Sequence, residues 1–323
     1  MDFVKLKRLK IKRLKFRQIL FALVVLGLVE GGGFLAYTFC KEAPDKHAVV
    51  QAQSEPPLPE QLGDEAEIDG HIRQIFGQHA ERYSVYFLRP NEVQTPYIFN
   101  DHPDQSASLI KIFILAKAMQ DVHDGKESLA TQLKITKPNI VGGAGVLTAY
   151  QAGKTRTLEE LLKIMITESD NTATNILMDH FGADQINAYL QQNGYTETIL
   201  QHKMMIGNGG KANLTSVKDV GTLLYRIYHR QCVGPEEDAF MEDILLGQTD
   251  KECFPTALPD WKIAHKTGEI TGAYHDGGIL RRGDDGVILV VMSNHWRDRA
   301  DTMKRLRQAA QYLAAQVKNS DAQ

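Results

Sequence analysis

Asp104-Gln-Ser-Ala-Ser-Leu-Ile-Lys-Ile-Phe-Ile-Leu-Ala-Lys-Ala-Met119 is the stretch on which the reading of this chain turns. Between positions 109 and 119 only Lys111 and Lys117 interrupt an apolar run, which leaves the segment without a polar face. A surface helix shows an apolar stripe, so a helix apolar all round belongs inside a core. Asp104 and Ser106 offer N-cap chemistry ahead of it. That places Ser108 in the first turn, among unpaired N–H groups at the positive end of the dipole. Lys111 follows three residues later and shares its face. A lysine kept from water has its charged form disfavoured, and a serine beside a neutral lysine is an activated nucleophile. The plainer alternative is a lysine snorkelling from a helix end beside a capping serine. Other stretches decide between the two.

The net charge of −3 hides an asymmetry. Residues 1–18 carry eight Lys/Arg against Asp2 alone. Such a run suits nucleic acid, but residues 19–40 follow it with 22 positions and a single charge, Glu30. That length spans a bilayer, and basic flanks stay on the cytoplasmic side. We read 1–18 as a cytoplasmic tail and 19–40 as an uncleaved anchor, with the rest extracytoplasmic at the cell membrane and no nucleic-acid partner. A cleaved signal peptide is the rival reading, because 19–29 alone makes a plausible apolar core for one. Residues 41–68 are acidic, contain proline and have few large apolar side chains, which is linker composition. Residues 69–323 are long enough for a self-sufficient core, and a monomer is expected. Cys232 and Cys253 flank a predicted helix at 235–246, whose rise keeps its ends roughly 18 Å apart. A bridge needs α-carbons within about 7 Å, so both read as free thiols.

The periodicity predicts a helix at 68–82, a hairpin from 83–88 and 96–99, then the central helix. Further helices are expected at 157–167 (with a capping box), 172–180 (closed by Gly182), 184–192, 216–230 and 300–317. Strand-like runs fall at 261–265, 273–280 and 287–293. Strands at both ends with helices between do not alternate as in a doubly wound fold. They predict an α+β domain whose antiparallel sheet is completed by the two ends of the chain. No repeat, phosphate-cradling loop or metal-spaced His/Cys set is visible, so no cofactor and no metal are expected. His79 and His180 read as ordinary surface or packing residues.

Glu168-Ser-Asp-Asn171 alone is an N-cap cluster, and His265-Lys-Thr-Gly268 alone is a strand end. In chain order, however, the pieces are Ser108-x-x-Lys111, Ser169-Asp-Asn171 and Lys266-Thr-Gly268, the signature of the penicillin-recognising serine hydrolases. Of nine serines only Ser108 has a lysine three residues on. Residues 70–318 resemble a class A β-lactamase-type domain, most closely in Glu168-Ser-Asp-Asn-Thr-Ala-Thr-Asn175 and His265-Lys-Thr-Gly-Glu-Ile-Thr-Gly272. The resemblance implies a β-lactamase/transpeptidase-like fold, an antiparallel sheet flanked by helices with an all-helical lobe. It implies Ser108 as nucleophile, Lys111 as its base and Ser169 as the proton carrier to the leaving nitrogen. Asn171 then meets a substrate amide, and Lys266 and Thr267 a substrate carboxylate. The N–H groups of Ser108 and Glu269 form the oxyanion hole, and Gly268 lets substrate lie against the strand. Substrates in this class are β-lactams or the D-alanyl stem peptides of peptidoglycan.

One departure stands out. The family's β-lactamases carry a glutamate between the second and third motifs, which activates the water that clears the acyl-enzyme. Residues 198–218 here contain no carboxylate, and His202 is the one neutral-pH base nearby. Acylation parts are complete and fast deacylation is not expected. A slow β-lactamase, a D,D-peptidase and a non-hydrolysing binder all stay open.

Overall fold

The computed structural model describes residues 65–92, 95–207 and 210–317. The expected tail at 1–18 and span at 19–40 lie outside the described residues. Among the described ones no helix is long and apolar enough to cross a membrane.

Helix α1 (Glu65–Phe76) begins inside the stretch read as linker. Glu65 and Glu67 occupy its first turn, where the helix dipole favours carboxylates, so the acidic composition marks a helix start. The predicted helix 68–82 breaks at Gly77, whose φ of 65° is open to glycine, and goes on as a 3₁₀ segment to Arg82. Strands β1 (Tyr83–Leu88) and β2 (Tyr97–Phe99) form the expected hairpin, and β3 (Asp104–Gln105) follows.

A 3₁₀ turn, Ala107–Leu109, leads into α2 (Ile110–His123). Here the capping expectation fails. Asp104 is drawn into β3, paired with Thr215, and the Ser106 hydroxyl donates to Ala107 O (3.3 Å), capping no helix. Ala107 at φ 45° turns the chain before the helix starts, so Ser108 lies in the 3₁₀ turn ahead of α2. The apolar reading of α2 itself holds, since every residue from Ile110 to Met119 is buried. Lys117 meets Asp121, and Lys111 turns to the site described below.

A small ribbon of β4 (Gln132–Lys134) and β5 (Thr155–Thr157), unmarked in the sequence pattern, precedes α3 (Leu158–Thr167). Thr157 caps α3 reciprocally with Glu160 (3.1 and 2.9 Å), as its capping box predicts. Next come α4 (Asn171–Phe181), closed by Gly182 at φ 80°, α5 (Ala183–Gln192), β6 (Leu214–Thr215), α6 (Val217–Tyr228), α7 (Pro235–Leu246) and the short α8 (Phe254–Ala257). Strands β7 (Lys262–Ile270), β8 (Ala273–Arg282) and β9 (Asp285–Ser293) and helix α9 (Arg299–Ala314) complete the chain. Helices α3, α4, α5 and α7 surround α2 as the helical lobe. Cys232 and Cys253 are free, and burial pushes the Cys232 thiol up to about 12.

The sheet runs β2-β1-β9-β8-β7, antiparallel throughout, so the early hairpin joins the late strands as expected. Along β1 the side chains alternate. Tyr83 reaches Thr302 on α9, while Tyr86 faces α6. At that second contact a Cβ on Gly221 would stand 2.4 Å from the Tyr86 ring. Gly221 therefore lets α6 lie directly on the sheet, at a helix-propensity cost of about 1 kcal/mol relative to alanine. We predict that Gly221→Ala lowers the melting temperature despite that propensity gain, because overpacking costs about 1–3 kcal/mol. A melting temperature equal to or above the parent's would show that this contact is loose.

Candidate active site

Three segments distant in sequence converge where the edge strand β7 meets the helical lobe. The turn carrying Ser108 is fixed from two sides. Ser106 N donates to Asn213 O (2.8 Å), and His275 on β8 donates from Nε2 to Gln105 O (2.8 Å). His275 is fully buried, which lowers its pKa, and its Nδ1 accepts Ser293 N (3.3 Å), so the neutral ring joins turn to sheet. Strand β7 then presses on the turn through Gly268. A Cβ there would stand 3.0 Å from Ser108 N and 3.1 Å from Ala107 Cβ. The glycine thus allows close approach of the strand to the backbone of Ser108.

Lys111 is 0% exposed. Its Nζ donates to Ser169 O (2.6 Å) and Asn171 Oδ1 (2.9 Å) and lies 3.2 Å from Ser169 Oγ. Burial holds its pKa well below the ordinary lysine value, nearby Lys266 adds to this, and Asp170 opposes it. Lys266, also 0% exposed, donates to the same Ser169 Oγ (3.1 Å) and to Thr267 O (2.8 Å). Burial brings it from 10.5 down to about 7, against the pull of Asp250 and Asp276. All three motifs therefore meet at one hydroxyl. Ser169 holds it there from a left-handed backbone position, φ 52°, strain typical of a functional site.

Asn171 is engaged at both ends, Oδ1 by Lys111 and Nδ2 donating to Gly142 O (3.1 Å). Between Ser169 and Asn171, Asp170 supplies the N-cap that the cluster suggests and adds a clamp on a distant loop. Its carboxylate accepts from Val146 N (2.6 Å), Leu147 N (2.7 Å) and Ala173 N (2.7 Å), capping α4 and clamping the 142–147 loop. Gly145, at φ 124°, leaves room for it. Thr267 is buried beside Lys266. Glu269 is exposed and ion-paired to Arg299 by bonds of 2.7 and 3.1 Å, a pairing between distant segments with no local sequence signal.

A cleft of about 590 Å³ opens here, lined by Ser108, Asn171, Glu269, His202 and Met204 among others. Asn175 on α4 grips Met204 from both sides, accepting its N–H (2.8 Å) and donating to its carbonyl (3.1 Å). The carboxylate-free loop thus delivers a buried thioether to the cleft. His202 is held by Nδ1 to Lys203 O (2.7 Å). Away from the cleft, His180 pairs with Glu127 (2.8 Å). Among the described residues no three His, Cys, Asp or Glu are grouped to hold a metal ion.

An antiparallel sheet beside a helical lobe, with a serine and two buried lysines at their junction, defines a serine hydrolase of the acyl-transfer type. The profile of the β-lactamase enzyme family matches residues 67–317, and the chain belongs to that family. It is 25% identical over 246 residues to a β-lactamase of Streptomyces lavendulae, covering 72% of this chain and 79% of that one. Against a β-lactamase of Streptomyces fradiae it is 25% identical over 266 residues, covering 77% and 86%. Among solved structures it superposes on PBP-A with a TM-score of 0.72 and 25% identity, over 77% of this chain and 95% of that one. A β-lactamase of Sphaerobacter thermophilus shares the fold (TM-score 0.71, 21% identity, 78% and 97% covered).

The state of Lys266 gives a pH prediction. Its folded value is depressed to about 7, so the ammonium is present below that pH and lost above it. Burial holds Lys111 well below the ordinary lysine value, and both substrates meet it alike, so it cancels from their ratio. Acylation by a carboxylate-bearing substrate, divided by acylation by its methyl ester, should therefore fall as pH rises from about 6 to about 9. A constant ratio would place the carboxylate elsewhere.

Proposed function

We propose that this chain acylates Ser108 with β-lactams, or with D-alanyl-D-alanine-like peptidoglycan amides, and releases the acyl group slowly. The observation that carries the reading is the meeting of Lys111 and Lys266 at Ser169 Oγ beside a cleft into which the 198–218 loop brings Met204 and no carboxylate. Ser108 Oγ attacks the carbonyl while neutral Lys111 takes its proton. The Ser108 and Glu269 N–H groups receive the oxyanion. Ser169, bonded to both lysines, hands a proton to the departing nitrogen. Lys266 and Thr267 hold the substrate carboxylate, and Asn171 swings an amide from Gly142 to the substrate.

Hydrolysis of the ester then needs a base within reach of a water, an aid worth roughly 10²–10⁴-fold. Met204 supplies none. This favours a D,D-peptidase or a β-lactam-binding role over a fast β-lactamase. A variant of PBP-A in which a leucine is replaced by glutamate is known as an acyl-enzyme complex with penicillin G, which supports acylation by similarity. Ser108→Ala is expected to abolish labelling by a fluorescent penicillin while the protein stays folded. Met204→Glu, placing a carboxylate where Asn175 fixes the chain, is expected to speed release by roughly 10²-fold or more. Labelling that persists in the first variant, or a rate unchanged in the second, would contradict the assignment.

Residues 19–40 would tether this domain outside the cytoplasmic membrane by a single span, with 1–18 inside. Salt strips only electrostatic attachment, so full-length protein should stay with membranes through a high-salt wash. Release at full mass would defeat the anchor, and release at reduced mass would indicate a cleaved signal.

A further inference from the structure

Clearing an acyl-serine asks for a base, and residues 198–218 hold one imidazole and no carboxylate. His202 lines the same cleft as Ser108 and is half-buried there. Its place is fixed through Asn213. The Asn213 side chain grips the His202 backbone at both ends, Oδ1 accepting His202 N (3.0 Å) and Nδ2 donating to His202 O (3.0 Å). The carbonyl of the same Asn213 accepts Ser106 N (2.8 Å), two residues ahead of Ser108. One buried residue therefore holds both the backbone under the imidazole and the turn that carries the acylated serine.

The ring itself is anchored at one nitrogen. Nδ1 lies 2.7 Å from Lys203 O, and a carbonyl oxygen only accepts, so Nδ1 carries the proton. A neutral imidazole fixed in this tautomer presents Nε2 as a bare lone pair. Among the described residues no hydrogen bond engages that Nε2. The neighbouring groups do not compete for the role. Met204 has no basic atom, and Glu269 is held by Arg299 through bonds of 2.7 and 3.1 Å. No lysine or arginine lines the cleft.

We propose that His202 is the base of the slow deacylation, taking through Nε2 a proton from the water that attacks the Ser108 ester. The proposal rests on the acyl-transfer reading and names the residue behind the slow release which that reading describes. The water oxygen bonds to the acyl carbon as its proton passes to Nε2. The bond from that carbon to Ser108 Oγ then breaks, and the imidazolium returns the proton to Oγ. A free carboxylic acid leaves, and the starting serine and neutral imidazole are restored. The release is slow for a structural reason. Nδ1 is bonded to a carbonyl, so no carboxylate stands behind the ring to stabilise the imidazolium.

The lifetime of a penicilloyl adduct tests this assignment. Full-chain protein is loaded with benzylpenicillin, freed of excess antibiotic and weighed intact over time, so that the rate of acylation does not enter. His202→Asn keeps an amide N–H for Lys203 O and removes the base, and it should lengthen the lifetime about tenfold to a hundredfold. His202→Ala should lengthen it as well, and imidazole added to the buffer should shorten it again in that variant. An adduct that leaves His202→Asn as fast as it leaves the parent would overturn the proposal. So would a long lifetime in His202→Ala that imidazole does not shorten, because a purely structural role does not answer to a free base. A native protein that takes up no penicilloyl group would remove the acyl-transfer reading and this inference together. An adduct whose lifetime ignores His202 would remove this inference alone.

Discussion

Two lysine side chains with no exposure share one serine hydroxyl, and the rest of this structure serves that arrangement. Their hydrogen-bond partners are Ser169 Oγ, two backbone carbonyls and the Asn171 amide oxygen, none of them a carboxylate. Desolvation disfavours the ammonium form of both, against the pull of Asp170 on Lys111 and of Asp250 and Asp276 on Lys266, and the charge of Lys266 adds to the effect on Lys111. The outcome is a Lys111 whose charged form is disfavoured and a Lys266 brought down to about 7. Holding two such groups out of water requires walls. α2 supplies one by being apolar on every side, and the edge of the five-stranded sheet supplies another. Asp170 braces the third by tying the 142–147 loop to the start of α4.

The sheet and the site bear on each other through contacts that only small or buried groups permit. Gly268 lets β7 touch the backbone of Ser108, and His275 links the same turn to β8. Ser108 is thus placed by main chain on a sheet edge and by the 3₁₀ turn, while Lys111 comes from the helix that follows. In the loop between α5 and β6, Asn175 secures a methionine at the cleft wall. On the reading proposed above, that loop offers acylation its surroundings and deacylation no carboxylate.

Much of this was legible in the residues themselves. The apolar run around Lys111, the capping box at Thr157 and the late strands follow local rules of pattern and hydrogen bonding, and these held. The spacing of Ser108, Lys111, Ser169, Asn171, Lys266 and Thr267 was readable because chemistry fixes residue types in order. What failed or stayed hidden was non-local. Asp104 and Ser106 look like caps until a strand from 110 residues later claims the segment. Gly77 ends α1 with a backbone angle that periodicity does not encode. Asp170, His275 and the Glu269–Arg299 pair act across segments, so only the folded chain reveals their partners.

On the proposed function, this site forms an acyl-serine and lacks the means to clear it quickly. Intact-mass spectrometry of the native protein after a brief exposure to benzylpenicillin, followed over time once free antibiotic is removed, tests that most directly. A mass increase by one penicilloyl group on Ser108 that persists for minutes or longer is the predicted result. A protein that returns to its original mass within seconds while hydrolysing penicillin at a steady rate would contradict it.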